Sequence, residues 1–578
     1  MIEALRRFKE IHFVDCEFGL PVDGRPAVRC LVVIEWRSGR CRRFWVDELA
    51  TMAQPPFDIG PDSLVVAYSA TAELSCFLSM CWPLPANILD LHVEFRNATN
   101  GLTHESSLAF ALTWFGQANL DVRLKELMRS LALRGGEYTN AEKNQLMAYC
   151  EGDVRALLQL GPHVVTPESI DMALVRGRFV RAAAVITDHG IPIDVGQLRR
   201  IQDGRERVCL RMAADPERNL GLYEGSTFKL DRFVRMIDDA GIYWPRHESG
   251  QPDISAETFD EMSRMYPDLR PLSELRKTMS LLRRFDLQVG PDGRLHPGAN
   301  PFWTTTGRNQ ARAAEHILPH PKFLRGVVGA GPGQALAYLD WGQQEIGIGA
   351  ALSGDAVMMA AYQDADCHIA FGKEAGILPP NATADTHPKE RKGLKACGLG
   401  VLFGKTGVAL ARDLGITNDA GADLIAMHRR TFPGFWRWLE AAVNYAMFHR
   451  AIRTVFGWQL HLPRVVNPRS VMNFPLQATG AEMMRLAVIY AVEAGVKVIG
   501  IFHDGLLIEA PAAGIADAAH RMHDAMDRAS SETLAGFILK VDTKIMPHPE
   551  TFLDPKDRAT WDLIQRALDE IDREREVP

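Results

Sequence analysis

Two acids at predicted strand ends are the first residues of this sequence whose placement suggests chemistry. Asp340 ends the apolar run ALAYLD, and Asp504 lies between the apolar runs VKVIGIF and LLIEAP, where Gly505 suits a hairpin turn. On neighbouring strands, such acids could hold two divalent ions about 4 Å apart, an arrangement that activates an attacking oxygen and stabilises a leaving one. Hard carboxylate oxygens suit Mg²⁺. The segment around Asp504 alone is equally compatible with an ordinary turn aspartate.

A second pattern places cations and apolar groups on one predicted helix. After Pro388, which suits a helix start, come Arg391, Lys395, Leu399 and Phe403 at intervals of four residues. Each such interval rotates a helix by only about 40°, so these side chains are predicted to share one face. The cations suit a triphosphate, and the apolar groups suit a base and a sugar. The alternative is an amphipathic helix with solvated charges, but nearby glycines, each costing about 1 kcal/mol in a helix, indicate a close approach by another group.

The N-terminal region carries a separate set of acids. Asp15 and Glu17 stand two apart in a predicted strand and share one face, where two acids repel unless a metal ion lies between them. Tyr149 and Asp153 stand four apart on a predicted helix and also share a face. Two divalent ions would carry four positive charges, whereas Asp15, Glu17 and Asp153 supply only three negative charges, so a fourth acid is expected. Glu73, just after the predicted strand SLVVAYSA, is the candidate.

The order of these patterns resembles DNA polymerase family A, the bacterial polymerase I type. Residues 340–345 (DWGQQE) resemble its motif A, residues 391–404 resemble motif B of the fingers, and residues 503–505 (HDG) resemble motif C. Three lesser signatures agree in order, at residues 304–308, 366–368 and 469–477.

This resemblance implies a role for each matching residue. Asp340 and Asp504 would be the metal-binding catalytic carboxylates. Glu345 would pack under the sugar and exclude a 2'-hydroxyl. The residues implied to hold the incoming nucleotide are Arg391, Lys395, Leu399, Phe403, His368, Glu345 and Gln343. Those implied to line the primer-template are Arg308, Arg469, Asn473, Gln477 and His503.

Three positions depart from the family's motifs. Leu399 replaces an aromatic residue, so stacking against the nucleotide sugar is lost, and Phe403 replaces a tyrosine. Gly505 replaces an acid that follows the motif C aspartate. That acid is the least essential of the family's carboxylates, so Gly505 is not expected to inactivate the protein.

The N-terminal acids resemble the DEDD exonuclease superfamily, in its tyrosine-containing branch. In that superfamily four carboxylates hold two metal ions, and the tyrosine orients the attacking water. The middle motif, normally N-x-x-x-D, would be residues 69–73, while Asp62 precedes the same strand and is expected at its far end. The residues implied are Asp15, Glu17, Glu73, Tyr149 and Asp153.

The fold class expected is an α/β multidomain protein, with a ribonuclease-H-like exonuclease domain followed by a right-hand polymerase of thumb, palm and fingers. Alternating strand and helix patterns, then a charged helical segment, support this order. The expected domains are 1–162 (exonuclease), 163–300 (helical connector or thumb), 301–365 (first part of the palm), 366–460 (fingers) and 461–578 (second part of the palm and C-terminal tail).

Composition leaves the partner open. The chain has 578 residues, 47% of them hydrophobic, and a net charge of -7, unlike a simple DNA-coating protein, although a local basic groove suffices for binding. The nine scattered cysteines argue against a disulfide framework and a zinc site. No apolar stretch suits a signal peptide or a membrane span. We therefore expect the protein in a reducing cytoplasm, that of the host if the chain is phage-encoded. We also expect it to be a monomer.

The expected function is template-directed DNA synthesis with 3'→5' proofreading. The partners would be primer-template DNA and deoxynucleoside triphosphates, and the cofactor Mg²⁺, two ions in each site, with Mn²⁺ as a substitute. The chain is compact, without room for a 5'-nuclease domain, as phage-encoded polymerases often are. Three alternatives stay open: a 3'→5' exonuclease with a degenerate polymerase half that binds DNA, a non-catalytic replication scaffold, and an RNA-synthesising relative, against which Glu345 argues.

Overall fold

The protein is described by a computed structural model that covers residues 5–22, 24–117, 122–311, 317 and 320–576. The chain forms two compact units. One comprises Met1–Gly190, Ala299–Gln310 and Leu336–Ile545, and the other comprises Ile191–Gly298, Ala311–Ala335 and Met546–Pro578. Every candidate site residue named above belongs to the first unit.

A five-stranded N-terminal sheet opens the first unit, with strand order β3-β2-β1-β4-β5. The central strand β1 pairs antiparallel with β2 and parallel with β4. Residues 11–14 of β1 are buried, as expected for the middle strand of a sheet covered on both faces. The strands are β1 (Glu10–Val22), β2 (Arg25–Glu35), β3 (Cys41–Trp45), β4 (Ser63–Ala67) and β5 (Ile88–Asp90).

Helices pack against this sheet and position its polar residues. The helix α6 begins at a capping box, in which Thr139 and Glu142 satisfy each other's backbone N–H groups, and it contacts β1 and β2. The helices of this segment are α1 (Val46–Leu49), α2 (Thr71–Ser79), α3 (Leu91–Thr99), α4 (Leu108–Trp114), α5 (Val122–Arg134), α6 (Asn140–Val164) and α7 (Ile170–His189).

The compact units divide the chain differently from the expected boundaries. Helix α7, expected in the connector, belongs to the first unit because it packs against α2 and β5. Gly177 permits this approach, since a Cβ atom there would collide with the backbone carbonyl of Ile88. At the other end, the segment after Ile545 belongs to the second unit rather than to the first.

The second unit is mostly helical, as predicted for the middle of the chain. One of its hydrophobic clusters is built around Phe233, Trp244, Phe259 and Leu272. Its helices are α8 (Val195–Ala214), α9 (Pro216–Asn219), α10 (Leu230–Asp239), α11 (Ala256–Met265), α12 (Arg270–Arg284) and, near the C-terminus, α23 (Arg558–Glu576). The two-residue strands of the chain are β6 (Ile191–Pro192), β7 (Tyr223–Glu224), β8 (Thr227–Phe228), β9 (Arg294–Leu295), β10 (Ala299–Asn300) and β11 (Gln310–Ala311).

A second sheet, here called the C-terminal sheet, has the strand order β15-β16-β12-β17. β15 and β16 form an antiparallel hairpin, and β16 lies next to β12. The strands of the C-terminal half are β12 (Gln334–Trp341), β13 (Ala451–Arg453), β14 (Gln459–His461), β15 (Val498–Phe502), β16 (Gly505–Pro511) and β17 (Val541–Pro547).

Six separate helices occupy residues 356–449. The helices of the C-terminal half are α13 (Gln344–Ser353), α14 (Ala356–Gln363), α15 (Cys367–Glu374), α16 (Pro388–Leu402), α17 (Gly407–Leu414), α18 (Asn418–Thr431), α19 (Pro433–His449), α20 (Pro468–Met472), α21 (Phe474–Glu493) and α22 (Ile515–Thr533). Among the described residues, none of these helices combines the length and the apolar character needed to cross a bilayer.

Candidate active sites

The C-terminal sheet brings Asp340 and Asp504 together, as predicted. Asp340 lies near the end of β12, and the backbone N–H of Trp341 donates to the carbonyl oxygen of Asp504 over 3.3 Å. Burial and the neighbouring Asp504 carboxylate raise the pKa of Asp340 to about 7. Two carboxylates that repel each other in a partly buried place suit a divalent cation.

Asp542 is a further acid that the sequence patterns did not identify. It lies on β17, the strand on the other side of β12, and its charge also raises the pKa of Asp340. Its side chain is exposed, and no motif marks it. The only signal available in the sequence was its place in a short run that reads as a strand.

The turn that presents Asp504 differs from the prediction. His503 and Asp504 form the tip, whereas Gly505 is the first residue of β16 and pairs with Phe502. The left-handed residue is His503, with φ of 59°, and Gly505 is not among the residues with positive φ. The prediction that Gly505 supplies the turn conformation is therefore wrong, since the unusual backbone lies two residues earlier. His503 itself is exposed at the tip.

Three residues expected at the sugar and the primer-template lie together. Nη2 of Arg308 is 3.4 Å from Oε1 of Glu345, and the side chain of Gln477 hydrogen-bonds the same carboxylate. Burial raises the pKa of Glu345, while Arg308 opposes that shift. Glu345 stands in the first turn of α13, and Gln343, the residue directly before this helix, has a left-handed φ of 52°. The Glu345 carboxylate is thus held from two sides.

A second group of expected nucleotide-binding residues surrounds Asp366. One oxygen of Asp366 accepts from the backbone N–H of His368 and caps α15, while the other accepts from Nε of Arg391 on α16. Burial, together with the charges of Lys395 and Arg391, lowers the pKa of His368 to about 4, although the charge of Asp366 opposes this shift. The imidazole is therefore neutral at pH 7 and close to both cations. Among the described residues, Lys395 has no ion-pair partner.

The predicted helix exists, but it ends before Phe403. Helix α16 runs from Pro388 to Leu402, so Arg391, Lys395 and Leu399 lie on it, and Phe403 caps its C-terminus with 48% of its surface exposed. The backbone N–H of Phe403 still donates to the carbonyl oxygen of Leu399 over 3.3 Å, and the chain turns only after it, at the left-handed Gly404.

Glycines of α16 leave its surface open. A Cβ atom added at Gly393 or at Gly398 would meet no atom within 4 Å. No group from outside the helix approaches these two glycines among the described residues, so the close approach inferred from the sequence stays a prediction about a ligand.

The expected template-contacting residues stand beside the C-terminal end of α16. Nδ2 of Asn473 donates to the carbonyl oxygen of Leu402 over 3.3 Å. A Cβ atom at Gly404 would lie 3.3 Å from Cβ of Arg469, which is exposed on α20. Asn473, at the junction of α20 and α21, therefore joins the segment of residues 469–477 to α16.

The N-terminal acid cluster consists of Asp15, Glu17 and Asp153, and one carboxylate oxygen of each lies within 4.8 Å of those of the other two. Burial and neighbouring acids raise the pKa of Asp15 to about 7 and that of Glu17 to about 10, and burial raises the pKa of Asp153 to about 6. Among the described residues, Asp15 Oδ2 and Asp153 Oδ1 are buried without a hydrogen-bond partner. Orphaned, mutually repelling carboxylate oxygens are what a divalent cation would neutralise, so these residues fit a metal ion.

Glu73 faces this cluster from α2. Its side chain is 4% exposed, Oε2 has no partner among the described residues, and burial together with the charge of Asp15 raises its pKa. Asp62 lies at the opposite end of β4, as predicted, and pairs with Lys9 at the surface. The geometry thus brings Glu73, and not Asp62, to the cluster.

Asp90 is a buried acid near Glu73 that the sequence patterns did not identify. Its carboxylate accepts from the backbone N–H groups of Ser69 and Ala70, each over 2.9 Å, and from those of His92 and Val93. These bonds hold the left-handed Ser69 and the start of α2. Asp90 directly precedes α3, where an aspartate is a readable signal for a helix N-cap. Its bonds to Ser69 and Ala70 were not readable, because those residues follow β4, the strand that pairs with β5.

Tyr149 and a cavity complete the N-terminal site. The hydroxyl of Tyr149 hydrogen-bonds Asp153 one helical turn away, as their spacing predicted. Both residues line a cavity of about 400 Å³, whose other walls include Leu124, Lys125 and Met128. The charge of Lys125 lowers the pKa of both Asp15 and Asp153, which places one cation beside the acids.

Comparisons with known proteins relate this chain to DNA polymerases. The family model "DNA polymerase family A" matches residues 246–548. DNA polymerase I of Chloroflexus aurantiacus is 27% identical over 379 residues, 59% of this chain and 40% of that protein. The thermostable DNA polymerase I of Thermus aquaticus is 25% identical over 352 residues, 56% of this chain and 42% of that protein. The matches thus span less than half the length of these curated relatives.

A solved structure shares the fold. It is the POL domain of Pol1 from M. smegmatis in complex with DNA primer-template and dNTP, with a TM-score of 0.74 and 18% identity, covering 94% of this chain and 96% of that one. The family model begins at residue 246, so the interpretation of the N-terminal acids depends on their own geometry.

Proposed function

Because the chain belongs to DNA polymerase family A, we propose that it extends a DNA primer on a template and also hydrolyses 3' ends at a second site. The observation that carries the first activity is that the carboxylates of Asp340 and Asp504 meet in a partly buried part of the C-terminal sheet. Glu345, at the start of α13, lies near them. Primer-template DNA and deoxynucleoside triphosphates would be the substrates, and the protein would act as a monomer.

In the polymerase site, Asp340 and Asp504 would hold two divalent ions, which we propose to be Mg²⁺. When bound, such ions stabilise the negative charge of the attacking and leaving oxygens. Glu345, fixed by Arg308 and Gln477, would occupy the space of a 2'-hydroxyl and so exclude ribonucleotides.

The cations of α16 would bind the triphosphate of the incoming nucleotide. Lys395 has no acid partner in the described part of the chain, so its charge is available, and Arg391 is oriented by Asp366. A neutral His368 can donate one ring hydrogen bond to a phosphate oxygen without adding charge. Leu399 and the adjacent Phe403 would pack against the sugar and the base.

DNA would lie along the residues that border these carboxylates. Arg308 would reach the minor groove of the primer-template, and His503 would face the primer end from the hairpin tip. Arg469, Asn473 and Gln477 border the same region through their contacts with α16 and Glu345, which supports their assignment to the template.

The N-terminal site would remove a 3'-terminal nucleotide. Asp15, Glu17, Glu73 and Asp153 would hold two more divalent ions, and Tyr149, hydrogen-bonded to Asp153, would orient the attacking water. The apolar cavity beside Tyr149 has room for one nucleoside, which supports binding of an unpaired 3' end.

Separation of the two activities tests this proposal. A labelled primer-template is incubated with Mg²⁺, with and without deoxynucleotides, and both extension and shortening are measured. Asp340→Ala and Asp504→Ala should abolish extension and leave shortening, whereas Asp15→Ala should do the reverse. Shortening by the unmodified protein without any extension would instead favour the alternative of an exonuclease with a DNA-binding polymerase half.

A further inference from the structure

The ring of Tyr338 occupies the space where a side chain at position 505 would stand. A Cβ atom added at Gly505 would lie 2.6 Å from Cε2 of Tyr338 and closer still to its hydroxyl oxygen. Gly505 is the first residue of β16, and its φ is not positive, so its backbone does not require glycine. The absence of a side chain at position 505 is therefore explained by the ring of Tyr338.

The hydroxyl of Tyr338 lies between the two elements that carry the catalytic carboxylates. Tyr338 and Asp340 are two residues apart on β12 and share one face. The hydroxyl oxygen is 3.4 Å from Oδ1 of Asp340 and 3.5 Å from the carbonyl oxygen of Phe502. Phe502 is the last residue of β15 before the turn that presents Asp504, and its ring packs edge-on against that of Tyr338.

We propose that Tyr338 is a positioning residue of the polymerase site, which orients Asp340 toward Asp504 from the space left free by Gly505. This inference rests on the proposed polymerase function. A hydrogen bond to one oxygen of a metal-binding carboxylate fixes the direction of the other oxygen, as outer partners of metal ligands commonly do. Residues 338 and 505 then form one packing unit, in which the large residue requires the glycine.

Removal of the hydroxyl alone tests the orienting contact. Tyr338→Phe keeps the ring, and we expect kcat of single-nucleotide addition to fall roughly fivefold with the KM for the nucleotide nearly unchanged, because the lost contact is to the carboxylate. Mn²⁺ binding, followed by electron paramagnetic resonance in an Asp15→Ala, Glu17→Ala background, should weaken by a similar factor. The control is Tyr490→Phe, which removes a hydroxyl bonded to Glu532. A Tyr338→Phe protein with the kcat and Mn²⁺ affinity of the control would overturn the inference.

A second set of variants tests the packing unit. Gly505→Ala should displace the ring of Tyr338. The rate of primer extension should then fall at least about tenfold, and the midpoint of thermal unfolding should also fall. The combined Tyr338→Ala, Gly505→Ala protein should have the midpoint of Tyr338→Ala alone, because the alanine then has room. The control is Gly514→Ala, where an added Cβ atom would meet nothing within 4 Å. If Gly505→Ala is as stable and active as that control, the inference is wrong.

Failure of the proposed function would give a different result. If the unmodified protein never extends a primer, the proposed polymerase activity is refuted. The contact between Tyr338 and Asp340 is nevertheless retained if Tyr338→Phe weakens Mn²⁺ binding and if Gly505→Ala lowers the unfolding midpoint only when Tyr338 is present.

Discussion

Asp366 holds Arg391 with one carboxylate oxygen and caps the helix of His368 with the other. A single acid thus sets the positions of two groups proposed to meet the triphosphate. The contact between Asp366 and Arg391 joins α15 to α16, and the spacing of these two residues in the sequence did not predict it.

Asp366→Ser separates the two roles of this acid. Serine still caps α15, so the helix should persist, but Arg391 loses its charged partner. We expect the KM for the nucleotide to rise about fivefold, with the dissociation constant for DNA unchanged. Glu440→Ser, which breaks an exposed pair with Arg429, is the control. A loss of DNA affinity without a change in KM would contradict the assignment.

Lys395→Ala removes a cation that pairs with no acid among the described residues. Nucleotide use, measured as kcat/KM, should fall at least about tenfold because a charge-assisted contact to phosphate is lost. DNA binding should not change. Lys389→Ala is the control, because six residues along the helix rotate it by about 240° to another face. An equal effect of the two substitutions would mean that only the overall charge matters.

Glu345→Ala opens the space proposed to exclude a 2'-hydroxyl. Incorporation of ribonucleotides relative to deoxynucleotides should rise about tenfold, while the overall rate falls because Arg308 and Gln477 lose their shared partner. Glu345→Gln keeps the volume and should keep the selectivity. Single-nucleotide addition with matched ribo- and deoxynucleotides measures both ratios, and identical selectivity in the unmodified and alanine proteins would refute the role.

Glu73→Gln tests the fourth acid of the N-terminal site. The substitution keeps the shape and removes one charge from the cluster, so hydrolysis of single-stranded DNA should fall at least about tenfold, or about 1.4 kcal/mol in the transition state. Asp62→Asn, at the far end of β4, should have no effect. The opposite pattern would show that the middle ligand had been wrongly chosen.

The N-terminal acids also predict how stability depends on pH in the absence of metal. Their pKa values are about 7 for Asp15, about 10 for Glu17 and about 6 for Asp153, all above the ordinary values near 4. The folded protein therefore keeps protons that the unfolded chain releases, and the free energy of unfolding falls as pH rises from about 4 to about 10, the pKa of Glu17 in the folded protein.

Thermal unfolding in a chelator at pH 5 and at pH 8 measures this effect. The midpoint should be lower at pH 8, and Mg²⁺ or Mn²⁺ should raise it there, because the ion binds the ionised acids. The Asp15→Asn, Glu17→Gln protein should show a smaller difference between the two pH values. An equal difference in that variant would assign the pH dependence to other groups.

Local spacing determined which residues share a face. Asp15 and Glu17 lie on one side of β1, and Tyr149 hydrogen-bonds Asp153, because strand and helix periods are properties of the backbone. The resemblance of the motifs likewise implied that Asp340 and Asp504 meet, and Asp504 lies in the turn before β16, the strand next to β12. These inferences needed no knowledge of distant neighbours.

Only the tertiary structure decided which residues fill the space between these elements. Position 505 is a glycine because of the ring of Tyr338, a residue 167 positions earlier on another strand, and the turn conformation belongs to His503 instead. Asp542 reaches Asp340 across a strand pairing that no motif records. Periodicity specifies the direction of a side chain, whereas close packing between elements distant in sequence specifies what that side chain meets.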